Sequence, residues 1–406
     1  AVVITTPIIQ TEIAHYATQR INEQFNIRTA IGQVAIQLDG TVLLKKVHVL
    51  ADHHNALAYI DRLYTDILDF KQLTDGKLLF GSTEIQDVDF FIHKYKGDSL
   101  TNLDKFIAVF DDGTPGSGKF FMKIDHLELT NGRFSITDDN TGNNPVNFTE
   151  MNGSMNNFVV QGPNINADVT NLSLKDKRGI YVKDLVTSFA MTRTSMDLTP
   201  FAIETDESYV KGNIAMRYKE GDLKYFTERV HLDVDFNKSK IATNDLKHFY
   251  NEFGSNNTLF LTAKAKGTLN DFQLKNTHLA DLFGAEISGN FGLKNLFVQT
   301  NPFRIDAELS RMNISREQAV ALLPNVLGNA LPIQLEKLGR VHLAGTVSYQ
   351  DFYVNTDIQA TTDLGTATAD VELWQVNNKL NASYKGDFSL DNFDIGALIE
   401  KENIGT

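Results

Sequence analysis

The fold class is decided by a strict alternation in residues 229–236, which read RVHLDVDF. Val230, Leu232, Val234 and Phe236 occupy the even positions, and ionisable side chains fill the odd ones. Because successive side chains of a β-strand point to opposite faces, this period of two predicts a strand with one apolar face and one face in water. The pattern recurs at 303–309, FRIDAEL, and at 367–373, ATADVEL. We therefore predict a mainly β protein with an elongated antiparallel sheet.

Composition restricts the classes of function. The chain has 406 residues, of which 42% are hydrophobic, with 27 Gly and 8 Pro, so we expect either several domains or one repetitive, elongated body. A net charge of −13 and the lack of any Lys/Arg-rich run argue against nucleic acid as a partner, because phosphate binding needs clustered cations. The absence of cysteine removes disulfides, thiolate metal sites and cysteine nucleophiles.

Residues 1–30 are predicted to hold an amphipathic capping helix. Thr6 fits the N-cap and Pro7 the first helical position, and apolar residues follow at intervals of four. This N-terminal stripe is expected to cover the end strand of the sheet, 31–38, either as a fixed cap or as a gate. It consists of Ile9, Ile13, Ala17, Ile21 and Phe25.

Residues 31–406 are predicted to form one continuous, repetitive β region. Short helical insertions are expected near 101–110, 243–253 and 315–338, and prolines break the last of them. The pair Asn131-Gly132 predicts a type I′ hairpin turn. A glycine followed by one residue and an apolar residue recurs at Gly212, Gly267, Gly289, Gly345 and Gly386.

Two motifs suggest enzymatic or metal chemistry, and we reject both. Residues 113–119, GTPGSGK, fit a phosphate-binding loop, but Phe120 stands where a hydroxyl should hold magnesium, and a strand-like run follows. Asp52, His53 and His54 form a tight cluster for which no third metal ligand is suggested. We therefore predict no catalytic residue, no metal site and no cofactor, and a protein that is not an enzyme.

The apolar face of such strands needs a cover. The pattern fits a closed sandwich of two sheets and an open groove equally well. A third class, a polysaccharide-active or adhesive β-solenoid, would need exposed aromatic residues around a carboxylate cleft, and the single Trp374 argues against it.

The order of several segments resembles the TamB family in its Bacteroidota form. At the N-terminus these are PIIQT (7–11), AHYAT (14–18), INEQF (21–25) and VLLKKVHV (42–49), followed by residues 52–54. Later come GKLLFG (76–81), FYNEFG (249–254), LLPNVLG (322–328) and ASYKG (382–386). None of these segments is a catalytic motif, and the likeness rests on their order along the whole chain.

The resemblance implies an AsmA-like, bridge-like protein of the Gram-negative periplasm. Its sheet would curl into a U-shaped hydrophobic groove that moves phospholipid or other acyl-chain cargo between the inner and outer membranes. The family also implies an inner-membrane helix before this region and, after it, a C-terminal region that meets an Omp85-type outer-membrane protein. The alternative function is a chaperone or scaffold for the assembly of outer-membrane β-barrel proteins.

The expected lining of the groove is the set of inward rows on the clearest strands. The same residues would be ordinary core residues if the sheet were covered. They are Val230, Leu232, Val234, Phe236, Phe303, Ile305, Leu309, Phe352, Val354, Val371 and Leu373.

Overall fold

The computed structural model describes residues 12, 15–16, 18–19, 22–23, 28–37, 41–50, 56–68, 77–110, 121–219, 221–296, 301–328, 331–377 and 380–401. The chain is mainly β, as the alternation predicts. Its strands pair into long, open β-sheet structure that is largely antiparallel. It divides into two compact units, Ala1–Asp206 and Glu207–Thr406.

In the described part of the first unit, nine strands pair in sequence order. They are β1 Arg28–Ile36, β2 Thr41–Leu50, β3 Ala56–Ile67, β4 Lys77–Lys94, β5 Phe121–Asp138, β6 Asn143–Gln161, β7 Asn164–Asp176, β8 Tyr181–Met191 and β9 Ser195–Thr205. All neighbouring pairs are antiparallel except β4 and β5, which are parallel.

A helix accounts for the parallel pair, because parallel strands need a long crossover connection. The helix Asn102–Phe110 lies in the segment between β4 and β5, in the predicted insertion near 101–110. Its first residue, Asn102, is buried. The Asn102 side chain accepts a hydrogen bond from the backbone N–H of His93 and donates to the carbonyls of Ala56 and Phe91. One amide side chain thus fixes the start of the crossover against two strands.

One row of side chains crosses all nine strands of the first unit and includes several of its buried residues. Cross-strand partners share a face of the sheet, so the register of the strands defines the row directly. Thr65 and Thr83, which lie next to each other in it, are buried, and their hydroxyls are 2.7 Å apart. The row runs through Ile36, Val42, Thr65, Thr83, Leu127, Met155, Val169, Thr187 and Phe201.

Among the residues of the second unit that the structure describes there are ten strands, and every neighbouring pair of them is antiparallel. They are β10 Tyr209–Arg217, β11 His231–Ala242, β12 Thr258–Gly267, β13 Asp271–Asp281, β14 Glu286–Lys294, β15 Arg304–Ser315, β16 Arg340–Gln350, β17 Tyr353–Thr362, β18 Gly365–Trp374 and β19 Ser383–Asp391.

Short helices occur in the connections of this unit. They are the α-helices Phe226–Arg229, Thr243–Lys247, Arg316–Leu322, Pro324–Leu327 and Ile395–Ile399, and the 3-10 helices Asp222–Tyr225 and Ile333–Leu338. The insertion expected at 243–253 is helical only as far as Lys247. In the insertion at 315–338, Ser315 and Gln318 form a capping box, and Pro324 begins the next helix.

The hairpin predicted at Asn131-Gly132 is wrong, because β5 runs without a turn from Phe121 to Asp138. Asn131 has a positive φ of 53°, but the register shift between Leu129 and Gly132 makes this a β-bulge. A residue with a positive φ can occupy a bulge as readily as a turn. The continuous pairing of β5 with its long partner strands favours the bulge here.

Several expectations fall on residues outside the described part of the chain. The whole N-terminal stripe lies there, as do the phosphate-loop motif at 113–119 and the cluster at 52–54. The described residues near that stripe are helical, namely Glu12, His15, Tyr16, Thr18, Gln19, Asn22 and Glu23. The first strand begins at Arg28, three residues earlier than expected. The Asn22 side chain holds the backbone of Thr29 through two hydrogen bonds, of 2.7 and 2.9 Å.

Candidate functional site

The strands of the second unit align their apolar residues into rows that cross the sheet. Bulges at several strands keep these rows in register. The first row runs through Gly212, Phe236 and Ala263, passes the register shift between β12 and β13, and continues through Thr277, Gly289, Leu309, Gly345, Ile358, Ala369 and Phe388. The second row is Ile214, Val234, Ala265, Leu274, Phe291, Ala307, Val347, Thr356, Val371 and Gly386.

Two further rows flank these on the same face. The third is Met216, Leu232, Gly267, Phe272, Leu293, Ile305, Tyr349, Val354, Leu373 and Tyr384. The fourth is Ser239, Leu261, Leu279, Ile287, Met312, Leu343, Ala360, Ala367 and Leu390. We call these four rows the apolar face. It contains no Asp, Glu, Lys, Arg or His side chain.

The opposite, polar face of the same strands carries the charges. Asp233 pairs with Lys266 across β11 and β12 at 3.0 Å. Arg304 donates two hydrogen bonds to Asp306, of 2.7 and 2.9 Å, and Ser348 donates a third, of 2.8 Å. These bonds, with that from Arg304 the largest cause, lower the pKa of Asp306. The strict division of side chains therefore directs one face toward water and leaves the other to apolar contacts.

The apolar face extends across the ten strands of the unit, and its side chains on β11 and β12, such as Leu232, Val234 and Ala263, are buried. Each described strand pairs only with its neighbours in sequence, and the helices lie in connections. Nine strand gaps of about 4.8 Å and three row intervals of about 6.6 Å give it roughly 43 Å by 20 Å, or about 900 Å². Most of its side chains from β13 to β18 are half-buried. The largest apolar patch on a typical monomer covers about 300–600 Å².

The recurring glycines lie at special backbone positions. Gly267, Gly289, Gly345 and Gly386 all have positive φ values, between 128° and 159°. A Cβ atom at any of these four would overlap a carbonyl oxygen of the neighbouring strand. Only glycine fits there. The repeat noted in the sequence thus marks close backbone approaches within the apolar face.

Eight of the eleven expected lining residues lie in the rows of the apolar face. The other three lie elsewhere. Val230 precedes β11 and has no exposed surface, so it is a core residue. Phe303 precedes β15, and its ring centroid is 6.4 Å from that of Tyr349. Phe352 occupies the turn between β16 and β17 with a φ of 64° and leaves 43% of its surface exposed.

The sequence reasoning missed most of the large residues that complete the rows. Phe272 and Leu274 on β13, and Phe291 and Leu293 on β14, alternate with polar residues as clearly as some of the chosen stretches do. Tyr384 and Phe388 on β19 do the same on either side of Gly386. These shorter alternations would have predicted the additional residues of the apolar face.

Two kinds of feature are absent from the described part of the chain. No group of three or more metal-binding side chains occurs among these residues. No helix in this part is both long enough and apolar enough to cross a bilayer. No family model matches the sequence, and no curated protein or solved structure is detectably similar to it.

Proposed function

We propose that the apolar face of the second unit binds the acyl chains of phospholipid or a similar greasy cargo, and that the protein moves this cargo along the sheet. The observation that carries the proposal is the continuity of four charge-free rows across the strands. Half of the hydrocarbon core of a bilayer is about 15 Å thick, so the face is longer than one lipid tail. Each buried methylene contributes about 0.8 kcal/mol, which makes a tail a favourable cover.

In this proposal the sheet curls into a U-shaped groove. Tails lie on the apolar face, and headgroups stay at the open seam, where water can hydrate them. The half-buried state of residues such as Leu274 and Leu293 supports an accessible face. The protein is not an enzyme in this account and needs no cofactor.

The resemblance to the TamB family supplies the proposed setting. The protein would work in the periplasm, held to the inner membrane by a helix that precedes this region. A later region would contact an Omp85-type outer-membrane protein. The cargo would pass between the two membranes and contribute to outer-membrane biogenesis.

Lipid analysis of gently purified protein tests this function. We expect phospholipid in organic extracts of the full chain, quantified by mass spectrometry. Val371→Asp places a charge on the apolar face and should lower the lipid content at least fivefold. Thr368→Asp adds the same charge to the polar face of the same strand and should leave the lipid content unchanged. Val371→Thr keeps the side-chain shape if the aspartate variant fails to fold.

Lipid-free wild-type protein, or equal lipid in all variants, would contradict the proposal. The second candidate function is a scaffold for outer-membrane barrel proteins, whose unfolded strands would lie on the same charge-free rows. Clean protein that captures peptides from unfolded porins would support the scaffold instead.

A further inference from the structure

The connection between β15 and β16 is unusually apolar for a segment at the surface. Residues 319–335, AVALLPNVLGNALPIQL, contain no Asp, Glu, Lys, Arg or His. Val326 leaves 48% of its surface in solvent, and Ile333 leaves 57%. Connections between strands usually carry polar residues because they run through water. This composition therefore favours an apolar environment around the segment.

The connection between β11 and β12 packs against this segment. The Asn325 side chain donates a hydrogen bond of 2.6 Å to the carbonyl of Asn251. The backbone N–H of Gly254 donates to the carbonyl of Leu322 at 2.8 Å, and a Cβ atom at Gly254 would overlap the carbonyl oxygen of Ala321. The backbones of the two connections are therefore in direct contact.

The connection between β13 and β14 joins the same surface. Gln318 donates to the carbonyl of Phe283 at 2.6 Å, and Arg340 donates to that of Gly284 at 2.9 Å. Because the strands are antiparallel, all three connections lie at the same end of the sheet. We call their common surface the apolar shelf. Its exposed apolar side chains are Phe249, Tyr250, Leu282, Phe283, Val326 and Ile333.

The charges that border the segment are paired with one another. Arg316 and Glu336 are 2.6 Å apart, and only 13% of the Arg316 side chain is exposed. Lys337 and Glu400 are 2.8 Å apart. Charge attraction to a partner is therefore a minor contribution at the shelf.

The backbone of the segment is helical and bonds to itself. The N–H of Leu327 donates to the carbonyl of Leu323 at 2.8 Å, and the N–H of Gly328 donates to that of Pro324 at 3.1 Å. A helical backbone offers no edge to which a partner strand could pair. The occupant of the shelf must therefore accept apolar side chains without supplying hydrogen bonds or charges. The acyl boundary of a lipid bilayer has this chemistry.

The apolar shelf borders the apolar face. The fourth row of that face includes Leu261, Ile287 and Met312, and each of these lies within three residues of the strand end that leads into the shelf. The surface is thus continuous with the rows that are proposed to hold acyl chains.

We propose that the apolar shelf inserts into the surface of a lipid bilayer, where acyl chains can pass between the bilayer and the apolar face. The insertion follows from the shelf itself, whereas the passage of acyl chains rests on the proposed function. Because the segment carries no charge, insertion needs no anionic lipid and is insensitive to salt.

Flotation of the full chain with phosphatidylcholine vesicles tests the insertion. The wild type should float with the vesicles, equally at low and high salt. Val326→Ser/Ile333→Ser should lower the partition coefficient about tenfold, because two partly exposed apolar side chains no longer enter hydrocarbon. Leu296→Ser/Val376→Ser is the matched control. These two residues are exposed to 41% and 40% in connections at the opposite end of the strands, and this variant should float like the wild type.

A fluorescent label reports the contact directly. Since the chain has no cysteine, Val326→Cys and Val376→Cys can each carry one environment-sensitive fluorophore. Vesicles should shift the emission of the label at residue 326 to shorter wavelength and leave that at residue 376 unchanged. This readout does not depend on the folding of the double variants.

Several results would overturn the inference. They are wild-type protein that does not float, equal shifts of both labels, and binding that requires anionic lipid or disappears at high salt. Self-association without vesicles that Val326→Ser/Ile333→Ser abolishes would assign the shelf to a second copy instead. If purified protein contains lipid but does not float, only the shelf inference fails. If it floats but contains no lipid, the insertion stands and the proposed acyl-chain binding fails.

Discussion

The α-carbon of Gly345 lies so close to the carbonyl oxygen of Asp357 on the neighbouring strand that a Cβ atom at residue 345 would overlap it. The φ of Gly345 is 130°, a value that side-chain-bearing residues rarely adopt. Two independent constraints, one steric and one conformational, thus require glycine at this point of the apolar face.

Gly345→Ala should therefore destabilise the protein strongly. We expect a loss of about 3 kcal/mol or more, since overpacking and an unfavourable backbone conformation add. Urea unfolding followed by circular dichroism measures it. The control is Gly292→Ala on β14, where the nearest atom to a new Cβ is 3.8 Å away and φ is not in the strained range. That variant should change stability by less than about 1 kcal/mol. Equal losses in both variants would contradict the role given to Gly345.

Buried threonine hydroxyls should respond to valine in opposite directions according to their partners. The hydroxyls of Thr65 and Thr83 share a hydrogen bond, whereas the buried hydroxyl of Thr356 has no partner among the described residues. Thr65→Val leaves the buried hydroxyl of Thr83 without this hydrogen-bond partner and should lower the free energy of unfolding by about 1–3 kcal/mol. Thr356→Val removes an unsatisfied polar atom and should be neutral or stabilising.

The double variant Thr65→Val/Thr83→Val completes this test. With both polar atoms gone, its stability should recover toward that of the wild type. Thermal unfolding of the wild type, Thr65→Val, Thr83→Val and the double variant measures the coupling. Additive losses in the double variant would show that the 2.7 Å contact between the two hydroxyls contributes nothing.

The turn between β16 and β17 contains a strained aromatic residue. Asp351 and Phe352 both have positive φ, 49° and 64°, and Gln350 pairs with Tyr353, so the turn is of type I′. A bulky residue pays about 1–2 kcal/mol for the left-handed conformation. Phe352→Gly should therefore stabilise the protein by about 0.5–1 kcal/mol once the flexibility of glycine in the unfolded chain is subtracted. A lower melting temperature in this variant would mean that the ring makes contacts that outweigh the strain.

Low pH should remove the contribution that Asp306, on the polar face, makes to the free energy of unfolding. Its pKa is lowered in the folded state, chiefly by hydrogen bonds from Arg304. A lowered pKa contributes stability above the unfolded value, near 4, and this contribution disappears as the pH falls through the folded value. Asp306→Asn should therefore flatten the decline of the unfolding free energy below about pH 4. The difference should stay under about 1 kcal/mol, because the pair is largely exposed. An unchanged pH profile would contradict the assignment.

Alternation in the sequence predicted the strands, and it placed residues such as Leu232 and Ile305 on one face. It could not predict which residues of different strands share a row. That register depends on bulges such as the one between Phe236 and Ser239, where a single extra residue shifts every later pair. Residues with a positive φ occur both in turns and in bulges, and the sequence around Asn131 does not distinguish the two.

The alternation also could not predict that β4 and β5 are parallel. Its signal was the helix near 101–110 between two long strands, an order that is typical of a crossover connection. The placement of Phe352 failed for a different reason. Its sequence continues the period of two toward Val354, and only the two-residue turn removes it from the strand.

Site-specific photo-crosslinking tests the central claim most directly. Val371 and Asp370 are adjacent on β18 and lie on opposite faces of the same sheet. A photoreactive amino acid at residue 371 should crosslink to phospholipid in cells, whereas the same probe at residue 370 should not. Mass spectrometry of the irradiated protein reports the adduct. Lipid adducts at 371 alone are the predicted result, and adducts at neither position, or equally at both, would contradict binding of acyl chains on the apolar face.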